Sequence, residues 1–343
     1  AAHLVSNGNE VSLYDKYPHA LDGIKKTGGI LLKGAVGEGF FPIKLASTDI
    51  SEVIRGADML MVVTPAFAHR EIAQQLVPYL EKDQIIVLHP GRTGGALECM
   101  NVIKTMRPEA EPVIAEAQTL LYASRITGEG EVTVFGIKNK VEFATLPASF
   151  NGKVGAILNR LFPGLFAPVD NVLVTSLSNI GAVFHPAPTV LNAARIEETG
   201  GGFEYYHGGI SPGVAKVLEA IDEERMNVAR GLGVPTKSAV QWLEDVYGVK
   251  KDNLYDAIQA NSVYSGIKAP SSLDTRYISE DVPMSLVPIA ELGKLSGVST
   301  PVMDALIILA GKIHSKNYRR EGRSLEKMGI QGMSIEDVKN AII

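Results

Sequence analysis

Apolar positions in the first half of the chain alternate between helical spacing and short β-type runs. Ala1, Leu4 and Val5 repeat at helical spacing, and Val11 and Leu13 alternate as in a strand that ends at Asp15. Further β-branched runs predict strands at 59–64, 84–89, 112–115 and 131–137, with helical stretches such as 69–79 between most of them. Strands that alternate with helices predict a parallel sheet with crossover helices.

The pattern changes after Pro168. The β-branched runs become fewer, and helical patterns dominate at 174–198, 212–231, 237–246 and 286–309. Ser334 and Asp337 have the spacing of a capping box before a final helix. Because 343 residues exceed the size of one typical core, we predict two domains. These are an α/β domain over 1–168 and an all-helical domain over 169–343.

The spacing around Asp15 is typical of the second half of a Rossmann unit. There a glycine-rich turn opens the first helix, and about 20 residues later an acid ends the second strand and binds the ribose hydroxyls. Asp15 fits that acid, so we expect the first strand and the glycine-rich loop to precede Ala1. The alternative is an ordinary acid at a strand end. An acid favours NAD over NADP because it repels a 2′-phosphate, although Lys16 beside it weakens that preference.

The loops after two predicted strands also indicate a cofactor-binding cleft. One strand continues into Thr64-Pro65-Ala66, and the next continues into the glycine-rich segment 90–95. Ligands of open α/β sheets bind at the carboxyl ends of strands, and glycine lets the backbone approach a flat ring. The alternative is that both segments are ordinary connecting loops. The predicted cofactor-binding positions are Thr64, Pro65, Pro90, Gly91 and Thr93.

Composition and charge exclude several classes of protein. The net charge of −5 and the lack of a dense basic cluster exclude a nucleic-acid binder. The apolar runs are far shorter than the ~18 residues of a membrane span, and the mean hydropathy is only +0.10. A single cysteine, Cys99, and a start without a signal-peptide pattern predict a cytoplasmic protein. No histidine pair or acidic cluster predicts a metal site.

Several segments resemble a known family. NIGAVFHPAPTVLNAAR at 179–195 and LDTRYISEDVP at 273–283 are similar to signature segments of the NAD-dependent opine dehydrogenases. HPGRTGGALE from His89 and GRSLEKMGI from Gly322 extend the resemblance over nearly the whole chain. It implies a Rossmann domain followed by a helical domain of the kind shared with 6-phosphogluconate and glycerol-3-phosphate dehydrogenases.

The resemblance also implies a site. A histidine of the family pairs with an aspartate, and here these are His185 and Asp281. Arg276 would hold the carboxylate of a 2-oxo acid, and Asn179 matches a polar residue near the same site. Histidine suits proton transfer near neutral pH, and arginine can bond a carboxylate at two points. The implied reaction is NADH-dependent reductive condensation of an amino acid with a 2-oxo acid such as pyruvate.

Alternatives stay open for single residues and for the whole protein. His185 is also explained as a structural histidine beside Pro186, and His89 is a second candidate for proton transfer. Glu116, which closes a strand, would either attract a basic substrate side chain or be a solvated carboxylate. The other functions are a ketopantoate- or hydroxyacid-type reductase, which would use a lysine, and a non-catalytic NAD-sensing module. The expected partners are small molecules, with a homodimer left open.

Overall fold

Eleven strands and eighteen helices make up the chain, which a computed structural model describes over residues 1–343. The strands are β1 (Ser12–Tyr14), β2 (Gly29–Gly34), β3 (Gly39–Pro42), β4 (Leu45–Ser47), β5 (Met59–Val62), β6 (Ile85–Leu88), β7 (Val113–Ala117), β8 (Tyr122–Gly128), β9 (Glu131–Ile137), β10 (Val141–Leu146) and β11 (Phe166–Pro168). Helices of the first half are α1 (Ala2–Ser6), α2 (Pro18–Thr27), α3 (Ile50–Ile54), α4 (His69–Leu76), α5 (Gly95–Met106) and α6 (Asn151–Leu161). Those of the second half are α7 (Val172–Leu177), α8 (Gly181–Phe184), α9 (Pro186–Leu191), α10 (Ala193–Thr199), α11 (Pro212–Gly231), α12 (Ala239–Tyr247), α13 (Leu254–Ala260), α14 (Arg276–Ser279), α15 (Val287–Ser296), α16 (Pro301–Ile313), α17 (Tyr318–Glu321) and α18 (Ile335–Ala341).

The largest sheet has five strands in the order β11-β10-β7-β6-β5. Strands β5, β6 and β7 are parallel, and every residue of β6 is buried, as in a strand covered on both faces. Strand β10 runs antiparallel to β7 and parallel to β11. The expectation of a purely parallel sheet is therefore wrong at this edge, because the chain reaches β10 through the β8–β9 hairpin and not through a crossover helix.

Two smaller sheets were not predicted. Strands β3-β2-β9-β8 form a four-stranded sheet, and β1 pairs with β4 in a two-stranded one. Much of the four-stranded sheet faces solvent: Ile126 in β8 and Phe135 in β9 are 84% and 66% exposed. A strand that buries little of its surface gives only a weak alternation of apolar and polar residues, so the pattern of β8 did not predict a strand.

Helices alone build the chain from Val172 to Ile313, with the 20-residue α11 as the longest. Two stretches predicted as continuous helices are divided. The first becomes α7 to α10, with a break before Pro186, and the second is interrupted at Gly297, whose φ of 70° is left-handed. The predicted capping box is confirmed, since Asp337 accepts from the Ser334 backbone and Ser334 accepts from the Asp337 backbone.

A single core of 62 buried residues connects the two halves of the chain. It includes Leu88 of β6 and Val287 of α15, both fully buried. The sheet-based first half followed by a helical second half confirms the predicted fold class. Every helix is too short or too polar to cross a lipid bilayer.

The chain after α17 returns to the sheet-based half. Arg323 is fully buried, and its Nε donates to Glu98 Oε2 at 2.7 Å. Its two Nη atoms donate to the carbonyls of Thr93 and Ala66, which belong to the loops after β6 and β5. Asn101 of α5 fastens the same tail by donating to the carbonyls of residues 326 and 327. The tail thus ties together the two loops at the carboxyl edge of the sheet.

Replacing Arg323 by methionine should lower the free energy of unfolding by about 3–5 kcal/mol, because Glu98 would keep a buried charge without its partner. Urea denaturation measures the loss. Lys16→Met is the matched control, since Lys16 pairs with Glu71 at 3.2 Å in solvent and such exposed pairs contribute little to stability. Equal small losses in both variants would contradict the role given to the tail.

Candidate active site

Two loops lie side by side where the parallel strands β5 and β6 end. The first loop contains Thr64, Pro65 and Ala66, and the second runs from His89 to Gly94. In the second loop Arg92 and Gly94 have left-handed φ angles of 59° and 72°. Because the register of β5 and β6 is parallel, both loops open toward the helical half of the chain.

Glu116 supports the second loop from below. Its carboxylate is fully buried and accepts from the Ala96 backbone at 2.8 Å and from the Thr175 and Ser176 hydroxyls at 2.7 and 3.1 Å. A Cβ on Gly91 would lie 2.0 Å from Glu116 Cγ. The expectation that Glu116 attracts a substrate is therefore corrected, because its oxygens bond within the chain. Gly91 makes room for Glu116, and its approach to a cofactor stays a prediction.

Thr93 and Asn179 connect that loop to the helical half. Thr93 Oγ1 donates to the Ser176 carbonyl at 2.9 Å and accepts from Asn179 Nδ2 at 3.2 Å. The same Asn179 amide donates to Ser285 Oγ at 2.8 Å. Both side chains are buried. These contacts show that Thr93 and Asn179 support the loop. Their side-chain donors are all used within the chain, so neither has a free donor for direct binding of cofactor or substrate.

A π-helical turn at Val282–Leu286 explains how the loop and the tail attach. Pro283 and Pro288 have no N–H, so the usual i→i−4 ladder fails there, and the Val287 N–H bonds to Val282 instead. The carbonyl of Met284 is thereby left for the Thr93 N–H, and that of Pro283 for the Arg323 N–H. The two prolines of this segment thus provide the acceptors that hold both elements.

His185 and Asp281 meet although 96 residues separate them. Their Nδ1 and Oδ2 atoms are 2.8 Å apart, and the side chains are 21% and 1% exposed. The His185 carbonyl accepts from Tyr205 and Thr189, and its ring stacks on Tyr277 with 4.4 Å between centroids. Ring atom Nε2 makes no hydrogen bond within the chain and is left for a substrate.

The charge on Asp281 depends on its cationic neighbours. Burial alone would raise the pKa of Asp281, but the charge of Arg92, the charge of His185 and hydrogen bonds from His185 and Ser285 outweigh it. The pKa therefore lies below its ordinary value of 3.8. An ionised Asp281 can accept a hydrogen bond from the Nδ1–H group of His185. This bond orients the ring and leaves Nε2 free to contact another molecule.

Glu280 joins the other half of the site. It is buried, its Oε1 accepts from the Ala66 N–H at 3.0 Å, and its Oε2 accepts from Arg276 Nε at 2.8 Å. The Arg276 side chain is 62% exposed, and its Nη1 makes no hydrogen bond within the chain. Arg276 therefore lies at the edge of the site with donors still open, as a carboxylate-binding arginine requires.

The residues Arg92, Glu280 and Tyr277 were missed from the sequence. Arg92 is the only charged residue in HPGRTGG, and Glu280 directly precedes Asp281. Those two positions were signals that could have been used. Nothing in the sequence pattern predicts the stacking of Tyr277 on His185.

The second proton-transfer candidate, His89, is not supported. It is buried, its Nε2 accepts from the Leu121 N–H at 3.1 Å, and burial lowers its pKa to about 4. His69 is likewise buried, with a pKa lowered by burial to about 3. Both rings are neutral near pH 7, which leaves His185 as the histidine placed for proton exchange.

The carboxyl edge of the sheet fits a dinucleotide. Thr64 Oγ1 is buried without a hydrogen-bond partner, as expected where a ligand supplies the missing partner. Asp15 follows β1 with a half-buried side chain whose Oδ1 accepts from the Tyr17 N–H. Pro65 and Pro90 are half-buried in the two loops. Thr64 and the two prolines could therefore contact a cofactor that lies along this edge. Asp15 follows β1, which pairs with β4 in a separate two-stranded sheet, so its contact with the same cofactor stays a prediction.

Comparisons with known proteins agree with the fold. The family model described as "NAD/NADP octopine/nopaline dehydrogenase, alpha-helical domain" matches residues 168–314. The opine dehydrogenase of Arthrobacter sp. (strain 1C) is 37% identical over 346 residues, which cover 100% of this chain and 94% of that protein.

Solved structures show the same fold. An octopine dehydrogenase in complex with NADH and L-arginine has a TM-score of 0.81 and 22% identity, with 98% of this chain and 93% of that chain covered. A PanE/ApbA family ketopantoate reductase from Ralstonia eutropha JMP134 has a TM-score of 0.62 and 18% identity, with 92% and 94% covered. The helical domain is thus shared by enzymes with different substrates.

The lowered pKa of Asp281 predicts how stability depends on pH. The ionised carboxylate stabilises the fold above its ordinary pKa of 3.8, and that contribution is lost as the pH falls through the lowered folded value. The difference in free energy of unfolding between wild type and Asp281→Asn should therefore be largest near neutral pH and shrink below pH ~4. Urea unfolding at a series of pH values measures it. Asp22→Asn, on an exposed side chain, is the control, and a pH-independent gap for Asp281→Asn would argue against this electrostatic picture.

Proposed function

Because the chain belongs to the opine dehydrogenase family, we propose that its His185, Asp281 and Arg276 perform that family's reaction in the roles described below. The protein is an NAD(P)-dependent oxidoreductase that joins an amino acid to a 2-oxo acid by reducing an imine. The observation that supports these roles best is the 2.8 Å pair of His185 and Asp281, because Asp281 directly follows Glu280, the carboxylate that holds Arg276.

His185 Nε2 moves the proton during condensation. The amine nitrogen forms a bond to the carbonyl carbon of the 2-oxo acid, and His185 takes the proton that the nitrogen releases. It then returns that proton to the carbonyl oxygen, which becomes a hydroxyl group. After taking a second proton from solvent, His185 gives it to this hydroxyl, which leaves as water while the nitrogen keeps one hydrogen and the carbon–nitrogen double bond forms as an iminium. Histidine suits both directions because its pKa is close to the working pH. Bound NAD(P)H supplies the hydride that reduces this double bond to a secondary amine.

Asp281 and Arg276 position the reactants. Asp281 holds the His185 ring in one tautomer and stabilises the imidazolium, and Tyr277 keeps the ring plane fixed by stacking. Arg276 binds the carboxylate of the 2-oxo acid with the donors that Glu280 leaves open. Glu280 also accepts from the Ala66 N–H, so this arginine is tied to the loop after β5.

NAD is the preferred cofactor in this proposal. Asp15 at the end of β1 would accept from ribose hydroxyls and repel a 2′-phosphate. Lys16, the neighbour that could attract such a phosphate, pairs with Glu71 at 3.2 Å. Thr64, Pro65 and Pro90 would contact the rest of the cofactor, with Gly91 and Thr93 shaping the loop.

The domain boundary, the cellular location and the oligomeric state are also proposals. A boundary at 168/169 is supported by the end of the last strand at Pro168. A cytoplasmic location and a homodimer are likewise proposed. A reductase that acts on a 2-oxo acid alone has less support, because the proton-transfer position is a histidine paired with an aspartate.

An assay of NADH oxidation tests the reaction class. With pyruvate and a panel of amino acids, oxidation should require both substrates. His185→Ala should reduce turnover by ~100-fold or more, because general acid–base catalysis is removed. His89→Ala, a change at a buried histidine outside the proposed chemistry, is the matched control and should keep turnover in the folded fraction. Oxidation with pyruvate alone would identify a 2-oxo acid reductase, and near-normal turnover of His185→Ala would remove this histidine from the mechanism.

Arg276→Ala tests the carboxylate site. Loss of a charge-assisted hydrogen-bonding partner should raise the KM for pyruvate about 10- to 100-fold. Steady-state kinetics at saturating NADH and amino acid measure it. Arg55→Ala, at an exposed arginine that follows α3, should leave the KM unchanged. An unaltered KM in Arg276→Ala would move the 2-oxo acid carboxylate to another group.

A further inference from the structure

Arg92 is a buried cation with unsatisfied donors inside the site. Its side chain is 16% exposed, and it makes no hydrogen bond within the chain. Its Nε is buried without a partner. Its nearest acceptors, Glu280 Oε1 and Asp281 Oδ1, lie at 3.5 and 3.3 Å without hydrogen-bond geometry. A buried guanidinium in this state is suited to an additional anion, because unmet donors in a dry site are costly.

The backbone at Arg92 and at Gly181 has features that allow the Arg92 side chain to reach Asp281. Arg92 has a left-handed φ of 59°, a conformation that non-glycine residues rarely adopt. A Cβ on Gly181 would lie 2.5 Å from Arg92 Nη1, so the glycine at the start of α8 allows the guanidinium to reach Asp281. Strain of this kind is typical of functional positions and not of ordinary surface arginines.

Arg92 and Arg276 lie on either side of one carboxylate. Arg276 bonds Glu280 Oε2, and Arg92 approaches Glu280 Oε1. Arg92 comes from the sheet-based half and Arg276 from the helical half. The product of the proposed reaction has two carboxylates, one on each carbon beside the secondary amine. Two arginines separated by a single carboxylate side chain match that pair of charges.

The positive charge near Arg92 is reinforced by a second cation. Lys138 donates to Thr119 Oγ1 and to the Leu120 carbonyl. Burial, and after it the charge of Arg92, lowers the pKa of Lys138 to about 8. Two partly buried cations in one region attract a carboxylate more strongly than either alone.

From these contacts we propose that Arg92 binds the α-carboxylate of the amino-acid substrate, while Arg276 holds the 2-oxo acid. The inference rests on the proposed function and adds its second carboxylate site. Arg92 is the better placed of the two for the amino acid, because it contacts Asp281 and so lies beside the His185 ring that receives the amine proton.

Selectivity for a carboxylate over an amide tests this site. NADH-bound enzyme is titrated with L-norvaline, L-arginine and L-alanine, and with the amide of each, by NADH fluorescence. Wild type should prefer acid over amide, and Arg92→Gln should weaken acid binding about 10- to 100-fold with little effect on the amide. The KM for pyruvate should stay unchanged, in contrast to Arg276→Ala.

Three further variants keep the test interpretable. Gly181→Ala should displace Arg92 without removing its charge and lower the same acid-over-amide preference, since its Cβ would lie 2.5 Å from Arg92 Nη1. Because that Cβ would also lie 3.1 Å from Asp281 Oδ1, turnover of this variant is measured beside amino-acid binding. Arg92→Lys should retain part of it, and Arg55→Gln should retain all of it. Circular dichroism checks that each variant is folded.

The outcomes separate this assignment from the proposed function. Turnover in wild type with an acid-over-amide preference that survives Arg92→Gln and Gly181→Ala would overturn the role of Arg92 alone. A rise only in the KM for pyruvate would also overturn it, by assigning Arg92 to the 2-oxo acid. Absence of both turnover and amino-acid binding in wild type would overturn the proposed function itself.

Discussion

The structure depends on a buried group of charges where the two halves of the chain meet. Glu280 and Asp281 are adjacent in sequence and almost fully buried, and each would be costly without cations. Arg92 from the sheet-based half lies beside both, Arg276 bonds the first, and His185 bonds the second. The same ion pairs that compensate these buried carboxylates therefore also bring the proposed catalytic groups together.

Backbone hydrogen bonds fix this group in space. The prolines around the π-helical turn free two carbonyls, and the glycine-rich loop and the C-terminal tail use them. Arg323 adds a second tie by donating to carbonyls in both strand-end loops. A tail that follows the helical half in sequence thus controls the shape of loops in the sheet-based half. A site at such a junction is sensitive to small changes in how the two halves pack.

Several polar side chains that the sequence predicted as ligand contacts instead support the site from within the chain. Glu116, Thr93 and Asn179 are all polar, close to the site and buried, yet their hydrogen bonds go to the chain itself. What remains for ligands are the groups with open donors or acceptors: His185 Nε2, the outer edge of Arg276, the guanidinium of Arg92 and the Thr64 hydroxyl. Residues whose polar atoms are all hydrogen-bonded within the chain therefore support the site, whereas residues with open polar atoms can contact ligands.

The sequence by itself determined the two-part fold class and the parallel strands β5, β6 and β7, because these follow from local periodicity. Short segments with recognisable residues predicted the His185, Asp281 and Arg276 set. Only the tertiary structure decided that β10 is antiparallel, that Glu116 lies under Gly91, and that Arg92 reaches Asp281 past Gly181. Spacing along a chain reports local conformation, whereas a hydrogen bond between residues 96 positions apart depends on how whole elements pack. The role of a buried polar side chain therefore depends on which partners the packing places within hydrogen-bond distance of it.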